Sequence, residues 1–236
     1  MNSLLWWQLA GLLLLMTATL LHRSSQMSFQ LFAVGFGLAL LVVLGTGLVA
    51  LVSSLMTAWR QGVAALSWPQ WLVPGVGLVL IIWLALVLVK SRSVPPIHDV
   101  ATDWTNPLLF STVAQLRQPA DNSLAIDPLV VVQQQRAYPQ VVPLWLTIPP
   151  QEAFNKALAL CQQLGWQVQR QDKTTHTIEA STSSTVFGFV DDVSIRIQAS
   201  DQGSRVDMRS ASRVGKSDLG ANAQRITDFL ARLQRP

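Results

Sequence analysis

Residues 71–96 read WLVPGVGLVLIIWLALVLVKSRSVPP, and this stretch divides the chain in two. From Trp71 to Val89 there is no charge. A helix needs roughly 20 apolar residues to cross the ~30 Å hydrocarbon core of a bilayer, and this run suffices. Lys90 and Arg92 follow, and then Pro95-Pro96, which cannot continue a helix. Upstream, two more runs have the same character, Leu4 to Leu21 and Phe29 to Leu55. The spacing predicts membrane helices over about 4–21, 29–55 and 71–89, within a transmembrane domain covering 1–92. Trp6, Trp7, Trp59, Trp68 and Trp71 sit at run ends, as in an aromatic belt. Pro69 and Pro74 lie near the start of the third run, where proline is tolerated.

Charge divides at the same place. No Asp or Glu precedes Asp99. Arg23, Arg60, Lys90 and Arg92 give residues 1–92 their whole charge of +4, which is also the net charge of the 236-residue chain. Residues 93–236 hold thirteen basic and thirteen acidic side chains. The balanced part has no polyanion footprint, so no nucleic-acid partner is expected. The basic residues at run ends suit the lipid interface, and the bilayer is the first partner implied. No ionisable residue interrupts a run, which argues against a transporter or channel. The first run lacks a basic leader and is long for a signal-peptide core, so a retained helix is expected. Ala33/Gly37 and Gly35/Ala39 have the small-xxx-small spacing of close helix packing, either within the bundle or across a dimer seam. Three spans place His22/Arg23 and Lys90/Arg92 on one side and Arg60 on the other. That count leans toward a cytoplasmic C-terminal domain.

Past Arg92 the pattern changes. Pro96, Pro107, Pro119, Pro128 and Pro139 punctuate residues 93–140, predicting an extended connector with a short helix near 111–116. Residues 141–236 predict an α+β domain. Val141 to Ile148 is β-prone, and Pro149-Pro150 opens a helix whose apolar face is Ala153, Phe154, Ala157, Leu158, Cys161 and Leu164. Gly165 stops it. Strand patterns follow from Trp166 and from Thr175 to Ser181. Val193, Ile195 and Ile197 then alternate with polar residues, Asp201-Gln202-Gly203 turns the chain, and Val206 and Met208 alternate on the return. Ser217 is the expected cap of a last helix that buries Ile226, Phe229, Leu230 and Leu233. The fold class is therefore an N-terminal three-helix transmembrane bundle followed by a two-layer α+β soluble domain, an antiparallel sheet packed with helices. Cys161 is the single cysteine, so no intramolecular disulfide forms, and its place on the helix suits a buried structural thiol.

Three motifs stand out: PPIHDVATD at 95–103, FVDDV at 189–193, and RSASRVG followed by SDLGAN over 209–222. Together they resemble the domain of unknown function 1499 family over about 95–236. The resemblance implies no activity, because none defines the family. Many relatives look like single soluble domains or lipoproteins; this chain carries three helices instead and lacks their N-terminal cysteine motif. Lipoprotein-like relatives imply the extracytoplasmic side, opposite to the charge count, and the side stays open.

The richest chemistry is the cluster Asp191, Asp192, Arg209, Ser210, Ser212, Arg213, Lys216, Ser217, Asp218 and Asn222. One reading is a pocket with an aspartate base and an arginine binding an anionic group. The other is structural, with cross-strand ion pairs and an Asp–Arg213 bidentate pair. Adjacent Asp191 and Asp192 point to opposite faces of a strand, so they are not a carboxylate pair for acid/base work. Gly215-Lys216-Ser217 lacks the first glycine of a P-loop. Lys216 and Ser217 remain a possible anion site at a helix N-terminus. The histidines lack metal spacing; His98, Asp99 and Asp103 form a weak metal candidate. No metal or cofactor is expected. The leading expectation is a multi-pass protein of the plasma (inner) membrane whose soluble domain binds an envelope partner or ligand without catalysis. The alternatives are an enzyme for an anionic or lipid-linked substrate, using the Asp191–Asp218 region, and a scaffold acting through its helices.

Overall fold

The computed structural model describes residues 2–235. The chain divides into two compact units, Met1–Lys90 with Thr185–Gly188, and Ser91–Ser184 with Phe189–Pro236.

The first unit contains α1 (Asn2–Arg23), α2 (Phe29–Gln61) and, as far as Lys90, α3 (Trp68–Ser93). All three are long and apolar enough to cross a membrane. At 33 residues α2 is ~50 Å long, more than a bilayer core needs. Ser28 caps it by accepting from Leu31 N, and Gly62 (φ 85°) ends it. Of the expected small-residue pairs, Gly35 and Ala39 face α1: a Cβ on Gly35 would lie 4.0 Å from Ala18 Cβ, and Ala39 is buried beside Gly11. A Cβ on Gly11 would lie 2.8 Å from Val43 Cγ2, and one on Gly47 would lie 3.1 Å from Gly77 Cα. Gly37 faces open space.

Polar groups inside the bundle are answered one by one. Proline has no N–H, so Pro74 leaves the carbonyl of Gln70, four residues earlier, without its helical donor. Ser54 Oγ lies 2.8 Å from that oxygen and 2.8 Å from its own Ala50 O. The Gln70 side chain accepts from Ser67 N and Oγ and donates to Thr57 Oγ1. Gln8 is buried and donates to Val73 O at 2.8 Å. In lipid an unanswered backbone group costs several kcal/mol, which explains why polar side chains sit beside a helical proline.

The second unit is α+β. Its strands are β1 (Asp99–Ala101), β2 (Leu144–Leu146), β3 (Gln167–Asp172), β4 (Thr177–Ser183), β5 (Val190–Ser200) and β6 (Gly203–Ser212). The order is β1-β6-β5-β4-β3, all antiparallel, and β2 also pairs with β6. The helices are α4 (Thr112–Gln115), α5 (Pro128–Ala137), α6 (Pro150–Gln163) and α7 (Ala221–Gln234). Residues 93–140, expected as an extended connector with a short helix near 111–116, supply that helix as α4 and also a strand and α5; they belong to this unit, which starts at Ser91. A three-residue strand is too short to show an alternation. The amide of Gln134, on α5, bonds both Ala101 N and Ala101 O and closes the outer edge of β1. The expected strand over 141–148 shrinks to β2.

Alternation sorts the sheet into two faces. Leu144, Ile178, Val193, Ile195, Ile197, Val206 and Met208 form the apolar face. They join Phe154, Ala157 and Cys161 of α6 and Ile226, Phe229 and Leu233 of α7 in one core. Trp166 stacks on Phe229 at 5.1 Å. The opposite face carries Glu179, Asp192, Arg196, Arg205, Asp207, Arg209 and Arg213.

Candidate functional site

Three charged nests on the second face hold down residues 102–127. In the first, Arg209 is 1% exposed. It bonds Asp99 through Nε (3.0 Å) and Nη2 (2.6 Å), and donates to Leu108 O and Leu124 O. Trp104 and Phe110 place their rings within 5.5 Å and 5.0 Å of its guanidinium, close enough for cation–π attraction. In the second, Asp192 is fully buried. It takes Arg213 Nε (3.0 Å) and Nη2 (2.8 Å), Arg117 Nε (2.8 Å) and Ser181 Oγ (2.8 Å). In the third, Asp207 accepts from Arg205 (2.9 Å) and Arg196 (3.3 Å), and Arg205 also donates to Asp103 at 2.6 Å. The Asp103 carboxyl is held below its usual range: burial pushes it up, but the hydrogen bonds from Thr105, Asn106 and Arg205 outweigh that. Glu179 answers the chain above it, accepting from Ser111 N and Val113 N at 3.0 Å each.

Asp191 faces the other way. Its carboxylate takes Arg225 of α7 at 2.5 Å. Arg225 also reaches Ser210 Oγ (2.9 Å), and Ser210 donates to Asn222 Oδ1 (2.7 Å). Asn222 Nδ2 lies 3.0 Å from His98 O and 2.9 Å from Ser212 Oγ. The two adjacent aspartates therefore anchor different layers: Asp192 the 102–127 segment and Asp191 the last helix.

Beside Lys216 and Ser217, the expected anion site, the helix start is capped by the chain itself. The last helix begins at Ala221, and its start is capped by Asp218, whose oxygens accept from Gly220 N (2.8 Å) and Asn222 N (2.7 Å). An aspartate at a helix N-terminus supplies the anion itself. Ser217 Oγ only accepts from Leu219 N. Burial raises the Asp218 carboxyl, and the Asp191 charge adds to this against the two backbone hydrogen bonds. The hydroxyl of Tyr138 is buried without a hydrogen-bond partner among the described residues, and burial, with the Asp218 charge, pushes it up. The His98, Asp99, Asp103 candidate does not assemble, because Asp99 is spent on Arg209 and Asp103 on Arg205. Among the described residues no group of three His, Cys, Asp or Glu side chains is placed to hold a metal ion.

A family model described as "Protein of unknown function (DUF1499)" matches residues 99–233. The chain belongs to this family. The DUF1499 match begins at the first residue of β1 and ends in α7, so the segment pinned by the three nests is part of the family unit. No curated protein matches the chain significantly. Within the matched range, Asp191, Asp192, Arg209, Ser210, Ser212, Arg213 and Asn222 all lie in hydrogen-bonded nests. Arg117, Glu179 and Arg225 complete these nests, yet nothing in their local sequence marks them. Each meets its partner across 34 to 75 residues of chain.

Proposed function

We propose that this DUF1499 protein is a membrane-tethered, non-catalytic binding domain of the cell envelope, anchored as a multi-pass protein in the plasma (inner) membrane. Its business is with an envelope protein or a ligand. The observation that carries the reading is the saturation of its signature: Asp192 has four donors and Arg209 four acceptors, all from the chain itself. A general base or anion-binding arginine needs a free lone pair or donor in reach of substrate. Buried, fully paired charges instead resist removal of either partner and fasten the 102–127 segment to the sheet.

Two measurements on the full chain test this. A photo-crosslinker at exposed Val142, in native membranes, is expected to yield a discrete adduct. Envelope extract incubated with the purified protein is expected to keep its composition. A product whose formation depends on Asp192 or Asp218 would refute the non-catalytic reading.

A further inference from the structure

At one end of the charged face the covering segment gives out and leaves a cleft of about 600 Å³, within the range of small-molecule sites. Its walls come from β2, the ends of β5 and β6, and the turn between them. Trp145, Arg205 and Gln198 stand side by side across three strands, since Trp145 pairs with Arg205 and Arg205 with Gln198. Gly203 lets β2 approach the turn. A Cβ there would fall 2.2 Å from Leu146 O, so β2 can lie against the turn only because this residue (φ 138°) has no side chain.

The chemistry of the lining is specific. Trp145 is 61% exposed and lines the cleft. The Arg205 guanidinium sits 5.7 Å from its ring centre and steadies the indole. Arg205 is not an anion receptor, because Asp103 and Asp207 already take its charge. Its Nε is a buried donor without a partner among the described residues. Around the indole stand Thr147, Gln198, Gln202 and Asp201. Each amide offers two donors and an acceptor, and the carboxylate offers acceptors. An open aromatic face ringed by groups that both give and take hydrogen bonds, with no cationic charge to spare, suits a neutral ring with one apolar C–H face and vicinal hydroxyls at its rim. That is a saccharide.

We propose that this cleft is a carbohydrate-binding site, with Trp145 as the stacking platform and Gln198, Asp201 and Gln202 reading hydroxyls. The assignment rests on the binding-domain reading above and gives it a ligand class. A nucleotide or phosphate is disfavoured by the neutralised Arg205, and the single aromatic ring is too little to cage a quaternary ammonium.

The test uses the full chain in a zwitterionic detergent without a sugar headgroup. Saturation-transfer NMR is recorded with N-acetylglucosamine, chitobiose and cellobiose, and with choline and glycerol phosphate as contrasts. Transfer to the pyranose ring protons is expected, with a Kd of about 1 mM or tighter for at least one saccharide. Trp145→Ala should weaken it by about tenfold or more, while Trp59→Ala, a change in α2, should leave it unchanged. Gln202→Ala, in an exposed turn, should weaken binding without disturbing the fold. No transfer to any of the three saccharides, or equal transfer with Trp145→Ala, overturns the proposal. Choline or glycerol phosphate binding lost in Trp145→Ala would also overturn it, yet leave the binding-domain reading standing. Cleavage of chitobiose in the same spectra would leave the cleft standing and overturn the non-catalytic reading.

Discussion

Asp192 is the point at which the charged face can be tested quantitatively. If Arg213 were its only partner, Arg213→Ala would strand a buried carboxylate at a cost of about 3–5 kcal/mol. Arg117 changes that. After Arg213→Ala the carboxylate still keeps Arg117 Nε at 2.8 Å and Ser181 Oγ at 2.8 Å. What is lost is one bidentate contact from a side chain that is 17% exposed, with two long contacts of 3.4 Å to Leu116 O and Ser181 Oγ. A charge-assisted hydrogen bond is worth about 1.5–3 kcal/mol, so the single variant should lose roughly 2 kcal/mol. Arg117→Ala also removes bonds to Asn122 O and Ala211 O, and should cost about 3 kcal/mol. The double variant leaves Asp192 with only a hydroxyl, so it should lose more than the two singles together, by about 0.5–3 kcal/mol. Pulse proteolysis in urea of the full chain in detergent reads these differences from the second unit. Additive losses would mean that the two arginines do not share one carboxylate. Wild-type stability in the double variant would refute the structural role of the cluster outright.

Other expectations follow from burial and sign. The Cys161 thiol is pushed up to about 12, chiefly by burial. Maleimide at pH 8 should leave it unmodified in the folded chain and label it in denaturant; rapid native labelling would contradict its place in the core. Asp103, with its folded value lowered, contributes stability that is complete above the ordinary aspartate value of 3.8 and lost as pH falls through the folded value. Asp103→Asn should therefore flatten the acid limb of an unfolding-versus-pH curve; an unchanged limb would show that the carboxylate is not so held. In the bundle, Ser54→Ala should cost about 0.5–1.5 kcal/mol in a mixed-micelle unfolding titration. The same change should cost nothing beside Pro74→Ala, which restores the N–H that Gln70 O lacks. An undiminished cost in that background would assign Ser54 to another role.

The three apolar runs, the strand–turn–strand of β5 and β6, and the apolar faces of α6 and α7 are all visible in the linear chain, because each is a local periodicity of hydrophobic residues. The same holds for the opposed directions of Asp191 and Asp192, which follow from adjacency in a strand. The part played by residues 93–140 is not local. β1 is three residues long, and its strand character exists only because β6 and Gln134 hydrogen-bond it on both sides. The start of the last helix is hidden for a related reason: Asp218, and not the expected Ser217, turns back to cap the helix that starts three residues later. Residue types and spacing tell which charges the chain carries, but pairing is a matter of distance in space. Arg209 meets Asp99 across 110 residues and Arg117 meets Asp192 across 75. Only the folded sheet brings them within 3 Å, and only the end of its covering segment leaves Trp145 bare.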